Sequence, residues 1–600
     1  RKFMNKKILL GLLSIAPVAL ASCGSTTTST HSNADYAGYE VDLNGDGTIA
    51  SDEQNLTWAD SYDTIISKIK KTTDNETRFK LMHAAETELM STGAICPLYY
   101  YTDLFLKSTD MTGFYSMPLG YKFFYGAQVK GSGAFTVCIA SEPTTIDPAL
   151  NSTVDGGTYD EHLFEGLYRW SYEGDYPNGA VKLVPGLAKA APVEVDNADG
   201  TVTYTYTLRD GLKWSDGTDL TAGDIARSWK RAVSTSLGAD YAYLFEIVKG
   251  GTTAETESDG ASLAVEATND TTLVVTLENS CSYWNELTAF PAFAPVPTSA
   301  DNDGAWCTSK NSSTFVCNGP MKIKSFDSTK IELEPNPYYY DTDIVKATDI
   351  TFAFSDSDSG MYNSYSSGSY AFIDSFPTSM ISTLKGRDDY FNVGQLGTYY
   401  VCFNVNSSAF DAVCDTEEKR EKLRKALSLL IDRNYLVDSV TQGGQKPANG
   451  FVSEGLTEAD GATDWTAKNG PKGDGAGYYS VDPDDYDSNV SEAISLLKEI
   501  GYTYDETTKK FTDVPAFEYL YNTSDSHKLI ATYLQGVFSK YGITMNLANQ
   551  EWASFITTRK SGDYTVARNG WLCDYNDPIS MLDMWITNSG NNDARLGKAD

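Results

Sequence analysis

The residues best suited to chemistry lie together in 549–583, NQEWASFITTRKSGDYTVARNGWLCDYNDPISMLD. Two tryptophans (Trp552, Trp571), two arginines (Arg559, Arg568) and Asp574, set in an Asp-Tyr-Asn-Asp-Pro turn, fall within little more than twenty residues. Aromatic walls give large contact area at low entropic cost, and a carboxylate with guanidinium groups can hold the two charged ends of a zwitterion. This is binding chemistry without catalytic chemistry. The competing reading puts the tryptophans in a core, the arginines in solvent, and Asp574 in a turn ahead of Pro578.

Enzymatic patterns are missing from the rest of the chain. No G-x-S-x-G, H-E-x-x-H or P-loop occurs, and His31, His83, His162 and His527 sit in unrelated contexts. A glycosidase needs only two carboxylates, which 81 acidic residues can always supply, so composition alone does not exclude one.

A second pattern, DLNGDGTIASDE at 42–53, fills every specified position of a twelve-residue calcium loop. Asp42, Asn44, Asp46 and Glu53 would supply side-chain oxygens and Thr48 a backbone carbonyl, with Gly47 at the sharp turn. ADYAGYEV before it does not read as an entering helix, so an isolated structural staple is expected rather than a sensor. An Asp/Gly-rich surface turn is the alternative. No cofactor is expected for function.

Near the start, Lys6 and Lys7 precede an apolar run, 8–20, too short to span a membrane comfortably, followed by Leu-Ala-Ser-Cys-Gly. This pattern predicts a bacterial lipoprotein signal, 1–22, with Cys23 as the lipid-modified anchor and a Ser/Thr-rich tether over 23–34. The other eight cysteines form no dense framework; Cys307 with Cys317 and Cys402 with Cys414 are near enough to suggest local pairs, and free buried thiols are expected as readily.

Two helices, 58–71 and 76–91, are read from apolar spacing, with Leu81, Ala84, Ala85 and Leu89 on one face and Gly93 as the stop. AICPLYYYTDLFLK (94–107) and YKFFYGAQVK (121–130) read as strands. Six hundred residues are too many for one core, so two or three lobes are expected. A formal net charge of -34 argues against nucleic acid as a partner. High aromatic content, 39 Tyr and 10 Trp, fits large aromatic-lined clefts and an aromatic core equally.

Seven segments taken together resemble one family. They are SEPTTIDPAL (141–150), EGLYRW (165–170), LRDGLKWSDGTDLTAGDIARSWKR (208–231), NGPMKIKSF (318–326), IELEPNPYYYD (331–341), RKALSLLIDRNYLV (424–437) and 522–578. In this order they are similar to signatures of family 5 extracellular solute-binding proteins, the oligopeptide-binding lipoproteins of ABC importers. The resemblance implies an α/β, two-lobed periplasmic-binding-protein-like fold (type II, three-domain cluster). It divides the chain into a second-lobe segment (35–93), lobe I (94–167 and 290–396) with an extra domain (168–289), and the second lobe carrying the main site (397–600). The hinge would lie near 93–97 and 397–401.

By the same resemblance, Asp574 pairs with a peptide α-amine and Trp571 and Trp552 wall side-chain pockets. Arg568, Arg559 and His527 stand near the distal carboxylate, Glu142 and its neighbours offer backbone groups, and Tyr241 or Tyr243 is a cleft tyrosine. The implied function is capture of oligopeptides at the outer face of a bacterial membrane by a lipid-anchored monomer serving an ABC permease. Alternatives are a family 5 binder of a dipeptide, sugar or metal chelate, and a calcium-stapled surface adhesin. One departure stands out: the segments 58–130 look like the end of a family protein yet precede its usual beginning. A circular permutation explains this, as does a reading frame that cuts tandem copies at the wrong place.

Overall fold

The computed structural model describes residues 31–599, apart from 141, 301 and 303. The expected signal segment, Cys23 and most of the tether lie outside the described residues. Asn33, which composition assigns to the tether, is instead fully buried, its backbone N–H donating to Asn406 Oδ1 at 2.8 Å.

Helices α1 (Thr64–Lys71) and α2 (Asn75–Ser91) form where apolar spacing predicts them. The Asp74 carboxylate accepts from Thr77 N at 2.8 Å and caps α2, satisfying one of its free donors. Leu81, Ala85 and Leu89 make its buried face. Gly93 ends the connection at φ +64°, where an added Cβ would come within 2.9 Å of Arg424 Cβ, so a residue with a side chain is excluded twice over.

The core is one large mixed sheet. Its strands in chain order are β1 (Ile95–Lys107), β2 (Ala134–Ala140), β3 (Met321–Phe326), β4 (Lys330–Pro335), β5 (Asp349–Phe354), β6 (Phe372–Ile373), β7 (Tyr390–Phe403), β8 (Lys446–Pro447), β9 (Phe517–Asn522), β10 (Met545–Gln550) and β11 (Val566–Leu572). They lie in the order β3-β4-β5-β2-β6-β1-β7-β11-β9-β10, with β8 also on β1. Neighbours β5, β2 and β6 are parallel on one side and β11, β9 and β10 on the other. The long antiparallel strands β1 and β7 join the two parts. Their ladder shifts register between Pro97 and Tyr99, beside the expected hinge, and more widely between Tyr100, opposite Thr398, and Thr102, opposite Gly394. Both irregularities sit where the sheet passes from one part to the other.

A separate four-stranded sheet, which includes Val202–Thr207 and Thr272–Leu277, packs under the helix Ala222–Val233 in the region expected to form the extra domain. No helix among the described residues is long and apolar enough to cross a membrane.

Three expectations are corrected. The stretch 121–130 is not one strand but two pieces of two residues, Lys122–Phe123 and Gln128–Val129. Its backbone is drawn elsewhere: Phe124 N donates to His162 Nε2, and Tyr125 O accepts from Lys346 N and Ala347 N. The Cys307–Cys317 and Cys402–Cys414 pairs do not form, since none of these four thiols is in a disulfide. Cys402 Sγ meets Tyr564 Oη at 3.3 Å and Cys414 Sγ meets Tyr502 Oη at 3.6 Å, so each thiol has its own partner.

At 42–53 the chain closes into a tight loop. Asp42 accepts from the N–H groups of Gly45, Asp46 and Gly47, Asn44 Oδ1 from Asp46 N, and Asp46 Oδ1 from Thr48 N and Oγ1. Glu53 is buried and accepts from Leu43 N and Ala50 N, drawing the ends together. Among the described residues no three His, Cys, Asp or Glu side chains are gathered as a metal cage.

Candidate binding cleft

Strand β11 carries the expected chemistry to the middle of the sheet. It pairs antiparallel with β7, Gly397 opposite Leu572 and Thr398 opposite Trp571, so alternate side chains point to one face. Gly397 has no room for a side chain there: an added Cβ would lie 2.4 Å from Trp571 O. Beyond the strand the chain turns, and Asp574 N donates to Ser580 Oγ at 2.8 Å, fixing the carboxylate at the strand end.

Asp574, Trp571, Trp552, Arg559, Arg568 and Tyr241 line one cavity of about 230 Å³. Asp574 is 7 % exposed; its Oδ1 accepts from Tyr241 Oη at 2.8 Å, and its Oδ2 has no hydrogen-bond partner. Burial, opposed by the Tyr241 bond and assisted by Asp583, pushes the carboxyl well above the usual range. Trp571 is fixed through Nε1–H to Ser580 O at 2.9 Å, and its ring lies 6.1 Å from that of Tyr241. Trp552 opens the helix Trp552–Ser561 and lies over Phe555, centroids 6.0 Å apart.

The two arginines differ. Arg559 spends its charge on Asp593, Nε to Oδ2 at 2.9 Å. Arg568 makes no ion pair among the described residues: it lies 5.0 Å above the Tyr399 ring and donates to Tyr101 Oη at 3.3 Å, while its buried Nε has no partner. A guanidinium so placed, without a carboxylate, is an open site for an anion.

His527 lies in an adjoining cavity of about 250 Å³, with Nδ1 3.0 Å from Tyr399 Oη. Burial, with Arg568 nearby, holds its pKa well below the usual imidazole value, so it faces the cleft neutral. Glu142 stands apart: its side chain is exposed, and it lines neither cavity. Asp42, Asn44, Asp46, Thr48 and Glu53 also line neither cavity.

Sequence reasoning missed Tyr101, Asp103 and Lys122, which come from the segment that stands early in the chain, and Asp155, Asp374 and Gln395. A charged Asp103 between Thr102 and Leu104 in an otherwise apolar strand was the available signal.

The model of the bacterial extracellular solute-binding proteins, family 5 Middle, matches residues 182–593. The oligopeptide-binding protein OppA of Bacillus subtilis is 33 % identical over 479 residues, covering 77 % of this chain and 79 % of its own length. Among solved structures, Listeria monocytogenes OppA bound to peptide superposes with a TM-score of 0.66 at 26 % identity, covering 78 % of this chain and 86 % of that one. The Escherichia coli murein tripeptide binding protein MppA gives a TM-score of 0.65 at 26 % identity, covering 77 % and 84 %.

Proposed function

Because the chain belongs to the bacterial extracellular solute-binding proteins of family 5, we propose that it captures oligopeptides and delivers them to an ABC importer, two lobes closing on the ligand. One observation carries this reading. A buried carboxylate with a free oxygen, Asp574, and a guanidinium with no ion pair among the described residues, Arg568, line the same aromatic cavity. An α-ammonium would complete the first and a carboxylate the second, each through a charge-assisted bond in a water-poor cleft. The two residues are six positions apart, no more than about 20 Å of extended chain, so a peptide of up to about five residues can touch both. Trp552 and Trp571 then wall the side chains between. The peptide backbone supplies what every peptide shares, which suits broad sequence tolerance.

The family and the relatives are binding proteins of solutes and peptides. Anchoring through Cys23, placement on the outer membrane face and a monomeric state are parts of the same proposal. So is calcium at 42–53, supported by the filled positions of the sequence pattern. A melting temperature that does not differ between calcium and a chelator would remove it. The two ends of the described chain pack together, Gly597 N donating to Asn33 Oδ1 at 2.7 Å and Trp58 Nε1–H donating to Trp585 O at 2.9 Å.

Native mass spectrometry of the purified chain, followed by gentle denaturation, tests capture directly. Released peptides of a few residues, lost in Asp574→Ala, are expected. A wild-type chain that carries none and binds nothing from a random peptide pool would refute it.

A further inference from the structure

Tyr101 and Gln395 line both cavities, so the two are parts of one cleft. At their junction stand four charged side chains. Lys122 and Asp155 face the cavity that holds Asp574, while Asp103 and Asp374 face the one that holds His527. Lys122 Nζ lies 3.2 Å from Asp103 Oδ2, both side chains being more than nine-tenths buried. Asp374 and Asp155 act on the same ammonium. Three carboxylates therefore share one lysine. Charges of one sign brought together need a partner or a proton, and only Asp103 is paired: Asp155 and Asp374, both half-buried in the cleft wall, make no ion pair among the described residues. The other two show the strain: burial, with Asp103 adding to it, pushes Asp155 up to about 6 and Asp374 well above the usual carboxylate range. What the junction lacks is a second cation.

We propose that this junction is a specificity site that selects peptides bearing a lysine or arginine side chain, which enters beside Asp155 and Asp374. The proposal rests on the peptide-capture reading. That the cleft receives a ligand at all is indicated separately by Asp574 Oδ2, buried without a partner in the same space. Lys122 does not suit the site to an acidic side chain, because it is already outnumbered. Arg568 reaches Asp155 only as the smallest of its four influences and is held against Tyr101 and Tyr399.

The test is calorimetry on the full chain with pentaalanine and with pentapeptides in which each alanine in turn becomes lysine, norleucine or glutamate. Norleucine copies the lysine stem without its charge. At one interior position lysine should bind about tenfold or more tighter than norleucine, with glutamate weakest, in keeping with charge pairs removed from water. In the Asp155→Asn/Asp374→Asn variant that ratio should fall toward one. Asparagine copies a protonated acid, so the variant should keep its fold, and its thermal melt verifies this. If alanine peptides bind but lysine never exceeds norleucine, or if the preference survives both substitutions, the proposal is overturned. If no peptide binds at all, the capture reading is what fails, and this site falls with it.

Discussion

Asp574 is a carboxylate whose environment is finished on one side only. Tyr241 supplies one hydrogen bond, and the other oxygen has none. Truncating one partner of a buried charge pair typically costs about 2–5 kcal/mol. Asp574→Asn should therefore weaken peptide binding by at least about thirty-fold. In that variant an N-acetylated peptide should bind as well as a free one, whereas the wild type should strongly prefer the free amine; an equal preference in both proteins would refute the pairing. The raised carboxyl adds a pH dependence. The amine binds the ionised form, so affinity should fall as pH drops and Asp574 takes up its proton, and should fall again above about 8, where α-amines lose theirs. Affinity measured across pH 5–9 should pass through a maximum.

Strand β11 brings these residues to the cleft, and its fit against β7 depends on Gly397. The methyl of Gly397→Ala would strike Trp571 O and Leu572, so the variant should lose about 1–3 kcal/mol of stability and misplace Trp571 as well. Lowered denaturation midpoint together with weakened peptide binding is the expected pair of readouts; a change in neither would show that the strands can part freely. At this scale much was legible in advance. Leu81, Ala85 and Leu89 gave α2 through their spacing, and the aromatic-rich stretch 94–107 read as the strand β1. The failures share a cause in long-range contact. Lys122 belongs to a segment that alternates and is aromatic like a strand, but Gly120, at φ +97°, and the pull of His162 and Lys346 on its backbone break it up. Local pattern carries no trace of partners such as His162 and Lys346, distant in the sequence. Asp574, Trp571 and Arg568 could be named because they lie within a few residues of each other, whereas Asp103, Asp155 and Asp374 meet only in three dimensions.

The whole molecule stores many carboxylates out of water, and its stability should follow pH accordingly. Burial pushes Glu255 up to about 8 and Glu421 up to about 7, and Asp583 up to about 6. An acid with a higher pKa folded than unfolded holds its proton more tightly in the fold, so stability falls as pH rises through that interval. His162, held at about 4, and His527, held low as well, have the opposite effect once pH drops below the ordinary imidazole value of about 6.5. The melting temperature of the ligand-free protein should thus rise from pH 8 to about 6.5 and then level off; a decline over that span would contradict the assignment. The contact between the two ends of the described chain makes its own prediction. A reordered chain, 134–599 followed by 33–133 through a short linker, should melt within about 5 °C of the original and bind the same peptides. Loss of folding would mean that the order given is required. The position of β1 reaches beyond the finished structure. This aromatic strand lies mid-sheet, yet its main partner β7 stands about 300 residues later. At about 5–20 residues per second, synthesis leaves it without that partner for roughly 15–60 s. During that interval Ile95–Lys107 is a sticky, unpaired ribbon, so the nascent chain should depend on a holdase far more than the completed protein does.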